Sequence, residues 1–179
     1  MAKISFQIED RGTLGYIDAA LQLGKNMKVP LERSGLYLLR ATDKRFQSQT
    51  SSEGIRWLDL KESTKKRRRK GKKEKYGNAI LRDTGTLWKS VSLSRGDGNV
   101  FRVDNEKVEV GTNLVYRNVH QFGAKIMRVS TKGKPFVIPI PARPYLGVSD
   151  PDEERINKIF EGWFNEKLDE GNHQVRFLK

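Results

Sequence analysis

Residues 3–9 alternate, with Ile4, Phe6 and Ile8 apolar and Ser5, Gln7 and Glu9 polar, the two-residue period of a half-buried strand. Leu14, Ile17 and Leu21 then recur at helical spacing. Beyond Pro30 a second set, Leu31, Gly35, Leu38, Thr42 and Phe46, runs in steps of three and four. The pattern predicts helices over 13–26 and 31–49, divided near Val29-Pro30 because proline donates no backbone hydrogen bond and restrains the residue before it. Residues 50–80 change character: Ser, Thr and Gly give way to a basic run, with Ile55, Trp57, Leu58 and Leu60 as an apolar island. A loop of that length is functional or disordered more often than not, and this one reads as a flexible basic loop held by one anchor.

After Asp83-Thr84-Gly85, the segments 87–94, 100–103 and 107–111 are separated by turn residues at 95–99 and at Asp104-Asn105, which predicts an antiparallel meander. Residues 113–121 suit a short helix ending at Gly123, a residue type favoured just past helix ends. Residues 124–144 read as an extended arm, or a hairpin turning at Lys132-Gly133-Lys134. For the last helix, Asp150 is the expected cap, Pro151 suits the first turn and Glu153 sits at the capping-box position. Ile156, Ile159, Phe160, Trp163, Phe164 and Leu168 form its apolar stripe, and residues 171–179 show no defensible element. Strand, helices, meander and terminal helix do not alternate as parallel βαβ units do, so the fold class is α+β. The expected architecture is one domain over 1–179: an antiparallel sheet or meander packed with two N-terminal helices and one C-terminal helix, plus a basic loop over 50–80 and an arm over 124–144.

Charge sharpens one part of this picture. The chain carries a net +13, and Lys65, Lys66, Arg67, Arg68, Arg69, Lys70, Lys72, Lys73 and Lys75 against Glu74 supply +8 of it. Such a block is a candidate contact for DNA phosphates or an acidic protein surface, or a solvated loop without a partner. Only Tyr76 lies beside it, so base stacking and sequence-specific reading are not expected. The absence of cysteine excludes disulfides, thiolate chemistry and Cys-based zinc sites, and two histidines, His120 and His173, offer little else to a metal. No apolar run approaches the roughly 18–20 residues of a membrane span, and residues 1–11 lack a signal-peptide pattern. The expectation is a soluble chain assembled in the cytosol, with no cofactor and no membrane partner.

Catalytic patterns are sparse. There is no phosphate-cradling glycine loop, dinucleotide fingerprint or nucleophile elbow. Asp59-Leu60-Lys61 matches the acidic-x-lysine element of metal-dependent nucleases, but a convincing second carboxylate site does not accompany it, and a non-enzyme is expected. His120 suits packing or hydrogen bonding at a helix end better than acid–base work, having no identifiable orienting partner. Arg143, between Ala142 and Pro144, either binds carbonyls to fix its own extended stretch or meets a carboxylate at a subunit interface. Phe122, Tyr145 and Trp88 read as core. Trp57 is either the loop's anchor or an aromatic hot spot for a partner.

An ordered set of short segments resembles the phage virion morphogenesis family. Phe46, Gly54 with Trp57-Leu58, Lys65 in its basic stretch, Leu81, Thr84-Gly85-Thr86-Leu87, Ser90, Gly111-Thr112-Asn113 and Tyr116 come first. His120-Gln121-Phe122-Gly123, Pro141-Ala142-Arg143-Pro144 and Leu146-Gly147 follow, in the family's order. Two positions depart from the pattern: Ser51-Ser52-Glu53 stands where the family commonly has proline, and Arg117 where it has a small residue after the tyrosine. The resemblance implies a non-enzymatic virion component that completes the tail or neck at the head-to-tail junction as part of an oligomeric ring. Its partners would be copies of itself and other neck and tail proteins, with packaged double-stranded DNA as a non-specific target for the basic loop. A ring needs a heterologous interface, and His120, Phe122, Arg143, Tyr145 and Trp163 are the candidate assembly residues. Free nucleic-acid binding through the basic loop, or nuclease action at Asp59, are the alternatives.

Overall fold

The computed structural model describes residues 24–70 and 76–176. Among them are five helices and two separate two-stranded antiparallel sheets, an α+β architecture. The expected strand at 3–9 and nearly all of the expected helix at 13–26 lie outside the described residues.

Helix α1 (Lys28–Ser48) begins before Pro30 rather than after it, because a proline in the first turn forgoes only a donor that has no intrahelical partner. Its buried positions Ser34, Gly35, Leu39, Thr42, Arg45 and Phe46 keep the predicted spacing, with Leu39 rather than Leu38 fully enclosed. At Gly35 the helix meets a hairpin so closely that a Cβ would lie 2.6 Å from Val108 Cγ2 and 2.8 Å from Phe101 Cε2. That hairpin is β1 (Asn99–Val103) and β2 (Val108–Thr112), paired from Asn99↔Thr112 to Val103↔Val108. Asp104 Oδ1 closes its turn by accepting from the Glu106 and Lys107 amides, both at 2.8 Å.

Two segments depart from the sequence expectation. The basic run opens as helix α2 (Glu62–Lys70) rather than as loop. Lys, Arg and Glu are good helix formers, and acidic neighbours offset their repulsion: Lys65 Nζ lies 2.8 Å from Asp59 and 3.0 Å from Glu62, and Arg68 faces Asp83. The first strand of the expected meander is instead helix α3 (Thr86–Ser90), whose Leu87, Ser90 and Val91 are buried at steps of three and four. The other two segments of the meander pair with each other as the β1–β2 ribbon, as expected.

Helix α4 (Arg117–Phe122) leads through Gly123 into the hairpin of β3 (Ala124–Val129) and β4 (Pro135–Ile140), which turns at Ser130–Lys134. Helix α5 (Asp150–Arg176) packs on α1 and extends into the segment from Gly171 that shows no pattern, as far as Arg176. Its cap is Ser149 rather than Asp150. The Ser149 amide and hydroxyl both donate to Asp152 Oδ2, at 3.0 and 2.7 Å, so the capping box is shifted one residue toward the N-terminus.

The core joins elements distant in sequence. Phe46, Trp57, Ile80, Leu87, Val91 and Tyr145 form one buried cluster. Phe46 meets Trp57 edge-on at 5.4 Å and Tyr145 at 5.7 Å. Each fully buried side chain of this size contributes about 1.5–3 kcal/mol. Trp57 is therefore the loop's anchor, with Nε1 donating to Pro144 O at 3.0 Å. A second tie is ionic: Arg45 pairs with buried Asp152, which also accepts from Tyr37 at 2.8 Å. Burial alone would raise the Asp152 pKa, but the Ser149 amide and hydroxyl, the Tyr37 hydroxyl and the Arg45 charge together hold it below the usual carboxylate range.

Candidate functional site

The segments that carry the family resemblance converge on one place. Gln121 Oε1 accepts from the Tyr145 and Leu146 amides, both at 3.1 Å, and Gln121 Nε2 donates to Leu146 O at 2.8 Å. The Arg143 amide donates to His120 O at 2.8 Å. The His120–Gly123 and Pro141–Gly147 motifs are thus two halves of one hydrogen-bonded unit. Arg143 then clamps the Trp57 loop, with Nε donating to Leu58 O at 2.8 Å and Nη2 to Asp59 O at 3.2 Å. Tyr145 OH donates to Arg117 O at 3.4 Å, and burial pushes this phenol up to about 12.

Gly123 is required at the joint. Its φ of +77° is strained for other residues, and a Cβ would lie 2.9 Å from both Ala142 N and Ile140 O. The unit therefore sets the base of the β3–β4 hairpin against the rest of the domain.

Beside it opens a cleft of about 510 Å³, walled by α2, the Leu81–Leu87 loop, α4 and the end of β4. Leu60, Leu81, Leu87, Ile138 and Ile140 give it apolar surface; Lys61, Arg67, Arg68 and Arg143 give it positive charge. Two of its polar atoms are buried without a hydrogen-bond partner, His120 Nδ1 and Arg68 Nε. Arg68 Nε is 3.3 Å from Asp83 Oδ1 but not aligned for a hydrogen bond, while its Nη1 donates to Ala79 O at 2.8 Å. Burial, then the neighbouring Arg143 charge, lowers the His120 pKa, so the imidazole is neutral at pH 7.

The five candidate assembly residues separate. Arg143, Tyr145 and Trp163 are buried within the chain itself, at 7%, 1% and 4% exposure, so their side chains serve the subunit's own packing. His120 is half-buried at the cleft. Phe122, expected in the core, is 74% exposed beside the hairpin. The basic candidates separate as well. Lys66 and Arg67 are exposed on α2, Lys65 and Arg68 are engaged in ion pairs, and Lys72, Lys73 and Lys75 lie outside the described residues. Arg69 and Lys70 belong to the helix backbone. Tyr76 packs edge-on against Trp88 at 5.7 Å with Arg82 over its ring, an intramolecular role rather than a stacking platform.

The sequence pattern alone assigns Gln121 no role, although it ties the two motifs together. Its place between His120 and Phe122 is the signal that was there. Asp59, the proposed nuclease carboxylate, is held by Lys65 and the Leu60 amide, which lower its pKa in that order. No cluster of three or more His, Asp or Glu with metal-binding geometry occurs among the described residues, and none of their helices is long and apolar enough to cross a membrane.

The motif residues thus join separate stretches of backbone at the base of the β3–β4 ribbon. The chain belongs to the phage virion morphogenesis family, whose model matches residues 8–165. Membership gives it a structural role in phage virion assembly, in association with other virion proteins. No curated protein and no solved structure matches the chain.

Proposed function

We propose that this protein completes the tail or neck of a tailed phage at the head-to-tail junction as one subunit of an oligomeric ring, and that the β3–β4 hairpin is the arm reaching the neighbouring subunit. The hairpin's surface carries the reading. Met127 pairs with Val137, and Val129 with Pro135, on one face of the ribbon. Met127, Val129 and Val137 are 75%, 67% and 52% exposed. No third strand joins the ribbon among the described residues. An isolated two-stranded hairpin is marginal in water, and a contiguous apolar face marks an interaction surface. Docking a preformed arm on a fixed base also loses little conformational entropy.

The expected outcome is a multimer by light scattering that Met127→Asp with Val137→Asp reduces to monomer at unchanged melting temperature. A double variant that keeps the wild-type mass removes the arm from the interface. Particles made without the protein should appear by electron microscopy as separate full heads and tails; normal joined virions would sink the junctional role.

The exposed Lys66 and Arg67 favour a subsidiary reading, non-specific contact with packaged DNA through α2 and the following residues. Neutralising five phosphates gives a slope of about −4.5 in log affinity against log salt, and duplex binding insensitive to salt would dismiss it.

A further inference from the structure

The two edges of the β3–β4 ribbon are unequal. At its turn the Ser130 amide donates to Lys134 O at 2.8 Å, and from that pair the antiparallel register alternates. Arg128↔Phe136, Ile126↔Ile138 and Ala124↔Ile140 bond across the ribbon. Val129↔Pro135, Met127↔Val137 and Lys125↔Pro139 turn their backbone groups outward. On β4 two of these outward positions are proline, which carries no N–H, so Val137 is the one donor left on that edge. On β3 the outward positions Lys125, Met127 and Val129 keep every donor and acceptor, and all three residues are exposed. No hydrogen bond uses those backbone groups among the described residues. Nothing in the pairing of the ribbon itself requires one edge closed and the other open.

We infer that the open edge of β3 pairs, backbone to backbone, with β2 of a second copy of this chain. A row of outward N–H and C=O groups repeating every about 7 Å is matched by another extended strand; a helix has already spent its backbone groups on itself. The strand edges of the described residues then narrow the donor. β4 is closed by Pro135 and Pro139. β3 against β3 of a second copy is self-complementary, and such a contact stops at a twofold pair instead of continuing around a ring. β1 has its Asn99 amide bound to Gly96 O at 3.0 Å, and its Arg102 would set a cation beside Lys125 or Arg128. β2 remains. Asp104 N bonds Lys107 O and Asn113 N bonds Gly98 O, so the alternation leaves Val108, Val110 and Thr112 facing outward. Val108–Thr112 holds one acid, Glu109, and no base, which suits the cations of β3. A Cβ at Gly111 would meet nothing within 4 Å, so the face of β2 turned away from α1 is open there. The joined sheet has four strands, β1 and β2 of one copy with β3 and β4 of the next, where each ribbon alone is marginal.

The inference rests on the proposed ring and deepens it, and the test separates the two. Residue-resolved amide hydrogen exchange is measured on the full chain, as the multimer and diluted to monomer. On assembly the amides of Lys125, Met127 and Val129 on β3, and of Val108, Val110 and Thr112 on β2, should slow by at least ~10-fold, while Val137 on the closed edge keeps its rate. Variants give a second readout. Met127→Pro removes one outward donor of β3 and no bond within the ribbon, as Pro135 and Pro139 already do on β4. Met127→Ala removes the same side chain and keeps the donor. By light scattering Met127→Pro should be monomeric at an unchanged melting temperature, at concentrations where Met127→Ala retains the larger mass. Where both variants dissociate, or Met127→Pro misfolds, the exchange rates on the wild-type chain decide. Unchanged exchange at Lys125, Met127 and Val129 in the multimer, or protection of Val137 in their place, overturns the pairing. A multimer that Met127→Asp with Val137→Asp dissociates but Met127→Pro does not leaves the arm in the interface and overturns only the strand addition. A chain that stays monomeric at every concentration overturns the ring, and the strand addition with it.

Discussion

Replacing Arg143 with methionine separates an internal clamp from an interface residue. The guanidinium makes two hydrogen bonds, 2.8 Å to Leu58 O and 3.2 Å to Asp59 O, from a side chain in a residue only 7% exposed. Hydrogen bonds from a charged donor are worth about 1.5–3 kcal/mol each. Two effects reduce the sum: Leu58 is 66% exposed, so water can reach its carbonyl, and removing the charge relieves the desolvation that lowers the Arg143 pKa. A loss of about 2 kcal/mol is expected, which for a chain of this size corresponds to about 4–8 °C in melting temperature. Trp57→Phe loses the bond to Pro144 O, about 1 kcal/mol, together with part of a buried ring system in the core. Because Pro144 follows Arg143, the double variant should lose less than the sum, by at least about 0.5 kcal/mol. Differential scanning calorimetry with light scattering on the same samples checks both quantities. If Arg143→Met melts within a degree of wild type yet fails to assemble, the residue faces a neighbour and the clamp described here is wrong.

Acid should act through the α1–α5 tie. The folded-state pKa of Asp152 is depressed, so its contribution is fully present above the unfolded value, about 4, and is lost as pH falls through the lower folded value. Asp152→Asn should cost about 3 kcal/mol at pH 7 by leaving Arg45 buried without its counter-charge, and should flatten the stability profile below pH 4; an unchanged acid limb in urea titrations would refute the assignment. Gly123→Ala should cost about 2–4 kcal/mol, combining a strained φ with two backbone contacts at 2.9 Å, measurable by chemical denaturation and contradicted by a loss under 1 kcal/mol.

Much of the fold was legible because local pattern and tertiary packing agree. The stripe from Ile156 to Trp163 on α5, the helical set around Phe46 and the strands 100–103 and 107–111 each announce their own period. The misreadings arise where a distant partner decides. The Lys65–Lys70 run reads as self-repelling until Asp83, beyond the basic run, is seen facing Arg68. The segment after Gly85 has enough β-branched and aromatic residues for a strand, yet it coils because Leu87 and Val91 reach the same buried cluster as Phe46. Phe122 is a large aromatic residue and was expected inside; the turn at Gly123 leaves it outside, beside the arm. The site was legible as motif but not as geometry. That Gln121 binds the backbone 24 and 25 residues later, and that Arg45 meets Asp152 107 residues away, follows from packing that spacing does not encode.

For a subunit that assembles through a projecting ribbon, the direction of the ribbon fixes the rotation between one copy and the next, and a heterologous contact closes into a ring only when that rotation divides the circle. Here the direction is set by Gly123, wedged against Ala142 N and Ile140 O, and by the Gln121 bonds just before it. A side chain at position 123 would thus act as an angular error repeated at every subunit. If the subunits assemble as the proposed ring, a variant that still folds and still adheres is expected to build open spirals in its place.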